Sequence, residues 1–161
     1  MDHDPLLRQL HKLRVTPTLV DEHDFKLAAL DALRSSNVYK RLKLKAAEIQ
    51  RIEKTLVQDH ITPLVFVVLC ALYAVDVAVV QHDAHFICGS PTRAVRGDQI
   101  FRIPDLSDSF LLNPIKPLHA VSYYTLPELQ RMAELLHVEP AKRKADLYAS
   151  ITTKVDSLLK N

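Results

Sequence analysis

Four basic residues are spaced so that they could form a phosphate-binding stripe along one helix. Apolar residues recur at helical spacing through the segment 38–58, at about 100° per residue. The opposite side of that helix carries four cations: Lys40, Lys43, Arg51 and Lys54. Residues 40–54 hold six basic and two acidic side chains, a net charge of +4. Such a stripe either binds nucleic-acid phosphates or is the solvated face of an amphipathic helix, which is its commoner use.

A second candidate for chemistry is the segment His82–His85, which places two imidazoles and a carboxylate within four residues. Histidine and aspartate side chains are metal ligands, but no cysteine pair or third histidine follows at ligand spacing. We therefore interpret this segment as an exposed polar turn and expect no metal site.

The two cysteines, Cys70 and Cys88, lie in apolar stretches and cannot build a disulfide framework. This usage indicates a reducing intracellular compartment. Cys88 could act as a nucleophile with His85 or His119 as its base. However, Cys70 is predicted in the middle of a helix and Cys88 at the end of a strand, whereas a papain-like nucleophile must open a helix. We expect no thiol catalysis.

Composition excludes several classes of site. The chain has 161 residues, 48% hydrophobic and 25% charged, which is enough for one core and a small appended module. With only two glycines, Gly89 and Gly97, neither a dinucleotide fingerprint nor a P-loop can be formed, and two-residue hairpins are expected to be rare. A net charge of +2 is too balanced for a chain that binds nucleic acid over its whole surface.

Hydrophobic periodicity predicts four helices and then a small antiparallel sheet. The predicted helices are Pro5–Arg14, Glu22–Leu33, Val38–Gln58 and Pro63–Ala74, and the predicted strands are Val75–Val80, His85–Cys88 and Asp98–Ile103. Thr62 suits the N-cap of the fourth helix. The apolar run 61–80 is nearly long enough to span a membrane, but Asp76 interrupts it, so we interpret it as a buried helix and strand.

Two further helices are predicted near the carboxyl-terminal end. Thr125 and Glu128 have the spacing of a capping box, which predicts that a helix starts near Leu126. A turn at 137–140 follows, and a basic cluster of three residues, Lys142, Arg143 and Lys144, opens the second helix. Tyr123 and Tyr124 could stack on bases, but we expect them to pack between this helical pair and the rest of the chain.

This predicted helical pair resembles the SAP domain, a helix-extension-helix module of many chromatin and DNA-repair proteins. The resemblance covers residues 122–153 and is carried by Leu126, Leu129, Leu136, Val138, Lys144, Leu147 and Ile151. SAP domains have a glycine at the bend, where this sequence has Pro140 and Ala141. In SAP domains that bind DNA, basic residues at the start of the second helix contact it. The resemblance therefore implies nucleic-acid binding by Lys142, Arg143 and Lys144.

A broader pattern over residues 60–153 resembles a small uncharacterised protein family of nucleocytoplasmic large DNA viruses. It consists of a Lys-Pro-Leu step at 116–118, a helix of the Ser-Tyr-Leu-Glu-Leu type and a second helix with the pattern K-x-x-L-Y. This resemblance implies a location in the virus factory or the virion, and it implies no activity.

Together these features predict an α+β protein with N-terminal helices packed on a small antiparallel sheet, followed by a SAP-like pair. The predicted parts are a domain at 1–112, a linker at 113–121 and a helical module at 122–161. We expect a non-enzymatic, intracellular binding adaptor of a large DNA virus that contacts nucleic acid. Its expected location is the cytoplasmic virus factory, the nucleus or the virion. The alternative is a virion structural or assembly protein, of minor capsid type, that binds other viral proteins. We expect no cofactor, no membrane contact and no small-molecule ligand.

Overall fold

A computed structural model of the chain describes residues 5–13, 21–58, 60–97 and 99–160. Within these ranges the fold is α+β, 54% helical and 13% strand, as predicted. The helices are α1 Pro5–Lys12, α2 Glu22–Ser35, α3 Val38–Arg41, α4 Ala46–Gln58, α5 Pro63–Tyr73, α6 Leu126–Leu135 and α7 Lys144–Lys160, with a 3-10 helix at Val121–Tyr123. The strands are β1 Val77–Val80, β2 Ala84–Cys88, β3 Arg93–Arg96, β4 Gln99–Arg102 and β5 Phe110–Leu111.

The prediction of one continuous helix over Val38–Gln58 is wrong, because the chain turns between α3 and α4. Lys43 adopts a left-handed conformation with φ +55°. Leu42 and Leu44 both pack against the core, and residues two apart on one helix would point about 200° away from each other. The turn therefore brings two partly buried leucines to the core, whereas a continuous helix would point them apart. Helix α4 begins at Ala46, and the carboxylate of Glu48 in its first turn accepts a hydrogen bond from the Lys45 N–H at 2.9 Å.

Helix α5 forms as its start signals predict. The Thr62 hydroxyl accepts a hydrogen bond from the Val65 N–H at 3.4 Å, and Pro63 occupies the first turn. The helix is followed by Ala74 in a left-handed conformation, so Ala74 belongs to the turn and the next strand begins at Val77 instead of the predicted Val75. This helix is buried along most of its length and packs against β2 of the sheet.

The sheet has the strand order β4-β3-β1-β2-β5 and is mixed, whereas the sequence predicted an antiparallel sheet. The predicted β1–β2 hairpin is present, with Val77 opposite Cys88. However, β3 lies parallel to β1, and β5 lies parallel to β2. The predicted strand Asp98–Ile103 corresponds to β4, with Asp98 outside the described residues. Arg96 pairs with Gln99, so only two residues join β3 to β4, and Gly97 at φ +56° makes this tight hairpin possible.

One large hydrophobic cluster joins the two parts of the chain that the sequence separated. Phe66 of α5 and Phe86 of β2 meet edge to face with ring centroids 5.7 Å apart. The same cluster contains Leu129 of α6 and Leu147 and Ile151 of α7, each fully buried. The C-terminal pair is therefore packed on the rest of the molecule. The division at 113–121 stays a prediction about which segments fold independently.

The amino-terminal helix is tied to the far side of the sheet by Gln9. The Gln9 side-chain amide donates a hydrogen bond to the Gly97 carbonyl at 3.2 Å, across 88 positions of sequence. Gln9 is 7% exposed. Its other polar atom, Oε1, is buried without a hydrogen-bond partner within the described part of the chain.

Candidate nucleic-acid interface

Helix α6 begins with the capping box that the sequence predicts. The Thr125 hydroxyl accepts a hydrogen bond from the Glu128 N–H at 3.3 Å, and the Glu128 carboxylate accepts one from the Thr125 N–H at 2.7 Å. Two backbone donors of the first turn are thereby satisfied. Local sequence alone fixes where this helix starts.

The bend between α6 and α7 is closed by a Schellman motif with histidine at its left-handed position. His137 has φ +55°, the Val138 N–H donates to the Ala133 carbonyl at 2.8 Å, and the His137 N–H donates to the Glu134 carbonyl at 3.3 Å. Glycine is the usual residue there because it has no Cβ. The left-handed residue of this bend is therefore His137, several positions before the site where SAP domains carry their glycine.

The side chain of Asp83 orients this bend against the sheet. Its Oδ1 lies 3.2 Å from Nε2 of His137, and its Oδ2 lies 3.5 Å from Nζ of Lys154 on α7. Asp83 belongs to the turn between β1 and β2. One carboxylate thus contacts both the bend and the second helix of the pair.

The basic cluster lies directly at the start of α7. This helix begins at Lys144, so Lys142 and Arg143 precede it instead of opening it as predicted. Lys142 and Arg143 are exposed and Lys144 is half-buried. None of the three forms an ion pair with another residue that the structure describes. Asp146 is the one acidic residue of the first turn.

This arrangement is electrostatically unfavourable in the isolated protein. The amino-terminal end of a helix carries a partial positive charge, so cations placed there cost about 0.3–1 kcal/mol each at low ionic strength. Three adjacent like charges also repel one another. A bound anion would relieve both effects, because phosphate oxygens accept hydrogen bonds from lysine and arginine.

The four residues predicted to form a basic stripe, hereafter the second basic set, do not lie on one helix face. Lys40 lies on α3, Lys43 lies in the turn, and Arg51 and Lys54 lie on α4. All four side chains are exposed. The break at Lys43 overturns the prediction of a single stripe, because the four positions no longer belong to one helix. Arg51 and Lys54, three residues apart, remain neighbours on α4.

The acidic residues of this region have other partners. Glu53 accepts two hydrogen bonds from the Arg34 guanidinium, at 3.1 and 3.2 Å, and one from the Tyr39 hydroxyl at 3.3 Å. The hydrogen bond from Arg34 holds the pKa of Glu53 below its usual value. Burial, reinforced by Glu53, raises the pKa of Tyr39 to about 12. The carboxylate of Glu53 therefore links α2 to α4.

An exposed aromatic cluster lies beside the start of α7. The rings of His119 and Tyr123 stack with centroids 4.0 Å apart at 27°. Tyr124 is half-buried against the core, in agreement with a packing role, but Tyr123 is 65% exposed. The Tyr148 hydroxyl donates to the His119 carbonyl at 2.6 Å. Sequence reasoning identified the tyrosine pair but missed its partners: His119, four residues before Tyr123, and Tyr148, which is distant along the chain.

The residues of the segment His82–His85 point in different directions. Asp83 contacts the C-terminal pair, whereas His85 is 5% exposed and its Nδ1 lies 2.9 Å from Oγ of Ser109. Burial lowers the pKa of His85, which favours the neutral ring. Among residues of described position, no group of three or more histidine, cysteine, aspartate or glutamate side chains could hold a metal ion.

The two cysteines meet at the wall of a cleft of about 630 Å³ between α5, β2 and the segment 111–115. Cys70 lies inside α5 and Cys88 ends β2, as predicted, and both are buried. A hydrogen bond with the Cys88 thiol, together with burial, holds the pKa of Cys70 far above its usual value. Two exposed apolar side chains, Ile87 and Leu111, also line this cleft.

Comparison with known proteins gives no relative: no protein family, no curated protein and no solved structure matches the chain. No single helix in the described ranges is long and apolar enough to span a membrane. Helices α4 and α5 would reach that length and composition only as a pair, and they meet at a bend of 93°.

Proposed function

We propose that the chain is a non-enzymatic binding adaptor whose α6–α7 pair contacts nucleic acid through Lys142, Arg143 and Lys144. The observation that supports it most is the set of three consecutive cations without ion-pair partners in the described structure, at a helix end where positive charge is unfavourable. Phosphates along a nucleic-acid backbone are the anions that such a cluster fits best, because several can be contacted at once. The buried side chains of Leu129, Leu147 and Ile151 hold the pair against the rest of the molecule.

The second basic set is part of the same proposal as an auxiliary surface. Lys40, Lys43, Arg51 and Lys54 are exposed, and the nearby Glu53 is bound by Arg34. They would extend the positively charged area without providing sequence recognition, since phosphate contacts position a nucleic acid and do not read its bases.

A salt titration with two charge-matched variants tests the proposal. Fluorescence anisotropy with labelled 20-nucleotide DNA, single-stranded and duplex, should show affinity that falls as salt rises. The triple variant K142E/R143E/K144E should lose binding at least tenfold and reduce the slope of log K against log salt by about 2–3. The matched control K40E/R51E/K54E makes the same change in charge elsewhere and should have a smaller effect. Wild-type affinity in K142E/R143E/K144E would contradict the proposal.

An assembly role is the second candidate, and the cleft beside β5 is the observation that favours it. Ile87 is 39% exposed and Leu111 is 57% exposed, so an apolar rim faces outward at the sheet edge. Contacts made by such side chains are weakly screened by salt. This role predicts a complex with protein partners that persists in high salt and is unchanged in K142E/R143E/K144E.

The origin and location that we propose, a large DNA virus and its factory or virion, rest on the sequence pattern around Lys116-Pro117-Leu118 and on the two C-terminal helices. A viral partner would be another component of the same particle. Crosslinking within purified virions, followed by peptide mass spectrometry, tests this part of the proposal.

A further inference from the structure

We infer that this surface selects single-stranded over double-stranded nucleic acid, with the stacked rings of Tyr123 and His119 as a platform for an unpaired base. The inference rests on the proposed function, since it names the form of nucleic acid that the basic cluster would bind. It uses residues that the proposed phosphate contacts do not involve.

The first observation is the exposure of Tyr123. Its ring stacks on His119 with a centroid separation of 4.0 Å, yet 65% of the residue remains accessible. Large aromatic side chains with a purely structural role are usually packed against other residues. Tyr124 and Tyr148 are partly buried against the core in this way. The open surface of Tyr123 is therefore available to a further ring.

The second observation is that two tyrosine hydroxyls hold the backbone of His119, on whose ring Tyr123 stacks. The His119 N–H donates to the Tyr124 hydroxyl oxygen at 3.1 Å, and the His119 carbonyl accepts from the Tyr148 hydroxyl at 2.6 Å. Both backbone polar groups of His119 are thus fixed by tyrosines. A ring that is already positioned loses little conformational freedom when a base stacks on it.

The third observation places the platform next to the cations. Tyr148 is four residues after Lys144 on α7, so the two lie on the same side of the helix, about 6 Å apart along its axis. Because Tyr148 contacts His119 directly, the stacked rings and the basic cluster belong to one surface. A short oligonucleotide could place a base on Tyr123 and its neighbouring phosphates on the cluster.

Chemistry favours a single strand on such a surface. Bases of a duplex are stacked on one another and present only their edges, whereas an unpaired base has a free face. Stacking on one aromatic side chain is worth about 5- to 150-fold in affinity and tolerates any base. Tyrosine and arginine also mark protein interfaces, but three adjacent cations beside the platform, with no ion-pair partner among the described residues, favour a polyanion.

The experiment measures binding of single-stranded dT20 and a 20-base-pair duplex to the full chain by anisotropy, at three salt concentrations. Four proteins are compared: wild type, Tyr123→Ala, Tyr123→Phe and K142E/R143E/K144E. Tyr123→Ala should weaken dT20 binding about 5- to 150-fold and leave duplex binding and the salt slope unchanged. Tyr123→Phe should bind both ligands as the wild type does. Since the chain has no tryptophan, tyrosine fluorescence can report stacking directly, and dT20 should quench it less in Tyr123→Phe.

The outcomes separate the inference from the proposed function. If Tyr123→Ala binds both ligands as wild type does while K142E/R143E/K144E binds neither, the stacking platform is wrong and the phosphate surface stands. Equal loss for single strand and duplex in Tyr123→Ala also overturns the selectivity. If the wild type binds neither ligand, both proposals are wrong.

Discussion

The carboxylate of Asp83 lies 3.2 Å from the imidazole of His137, and this contact joins the turn of a hairpin to the bend of a helical pair. The two residues are 54 positions apart in the sequence. The His137 side chain is 73% exposed, so the contact adds little stability in water. Together with the contact to Lys154, it links the turn between β1 and β2 to the helical pair that carries the basic cluster.

Replacing His137 by glycine should stabilise the protein. Glycine removes the cost of a left-handed conformation, about 1–2 kcal/mol, and the exposed contact to Asp83 that is lost is worth less. We expect the melting temperature to rise by about 2–4 °C for a chain of this size. His137→Ala is the matched control, because it removes the same contact and keeps the Cβ. A lower melting temperature for His137→Gly than for His137→Ala would contradict this account of the bend.

Replacing Gly89 and Gly97 by alanine should lower the free energy of unfolding by unequal amounts. A Cβ on Gly89, which has φ +67°, would collide with the Asp76 carboxylate, whereas no described atom lies within 4 Å of a Cβ on Gly97, at φ +56°. Gly97→Ala should therefore cost about 1–2 kcal/mol, and Gly89→Ala more. Urea unfolding measures both. In the background Asp76→Ala the two costs should become similar, and an unchanged difference would rule out the Asp76 contact as its cause.

Because of His85, the protein should become less stable as the pH falls below the ordinary histidine pKa of about 6.5. Burial lowers the pKa of this residue in the folded state, so the unfolded chain binds more protons there. The stabilising contribution is complete above about pH 6.5 and is lost as the pH falls from there through the folded-state pKa. Thermal unfolding between pH 8 and pH 5 should show a steeper decline for wild type than for His85→Asn, which keeps a polar atom near Ser109. Parallel curves would show that His85 is not responsible.

The cysteines should be unreactive until the protein unfolds. Thiolate is the nucleophilic form, and the hydrogen bond with Cys88 and burial both raise the pKa of Cys70. Cys88 is 3% exposed. Ellman's reagent should label the native protein slowly and label two thiols per chain rapidly in guanidinium. Rapid labelling of native protein, with Cys70→Ala and Cys88→Ala identifying the thiol, would mean that the cleft wall opens in solution.

Features set by neighbouring residues could be predicted from the sequence. Thr62 with Pro63, and Thr125 with Glu128, start their helices as expected because a cap needs only side chains within one turn. The β1–β2 hairpin is equally local. These elements also gave the correct fold class, since the class depends on which segments are helices and strands.

Features set by distant contacts could not be predicted. The break at Lys43 follows from where two leucines meet the core, and β3 has only four residues with arginines at both ends, so its apolar pattern is too short to recognise. The left-handed conformation of His137 was missed because glycine is the usual signal for it. The basic cluster at 142–144 is visible in the sequence and its role stays a prediction, while the stacking of Tyr123 on His119 depends on the path of the chain before α6.

The hydrogen bond from Gln9 to Gly97 has a consequence for synthesis of the protein. A ribosome adds about 5–20 residues per second, so the 88 positions between these residues take about 4–18 seconds. During that interval α1 can meet α5, but the amide at its centre has no sheet to bind. Until α5 has been made, Leu6, Leu7 and Leu10, all buried in the finished fold, lack the helix that α1 contacts, and a chaperone that recognises short apolar segments would find them.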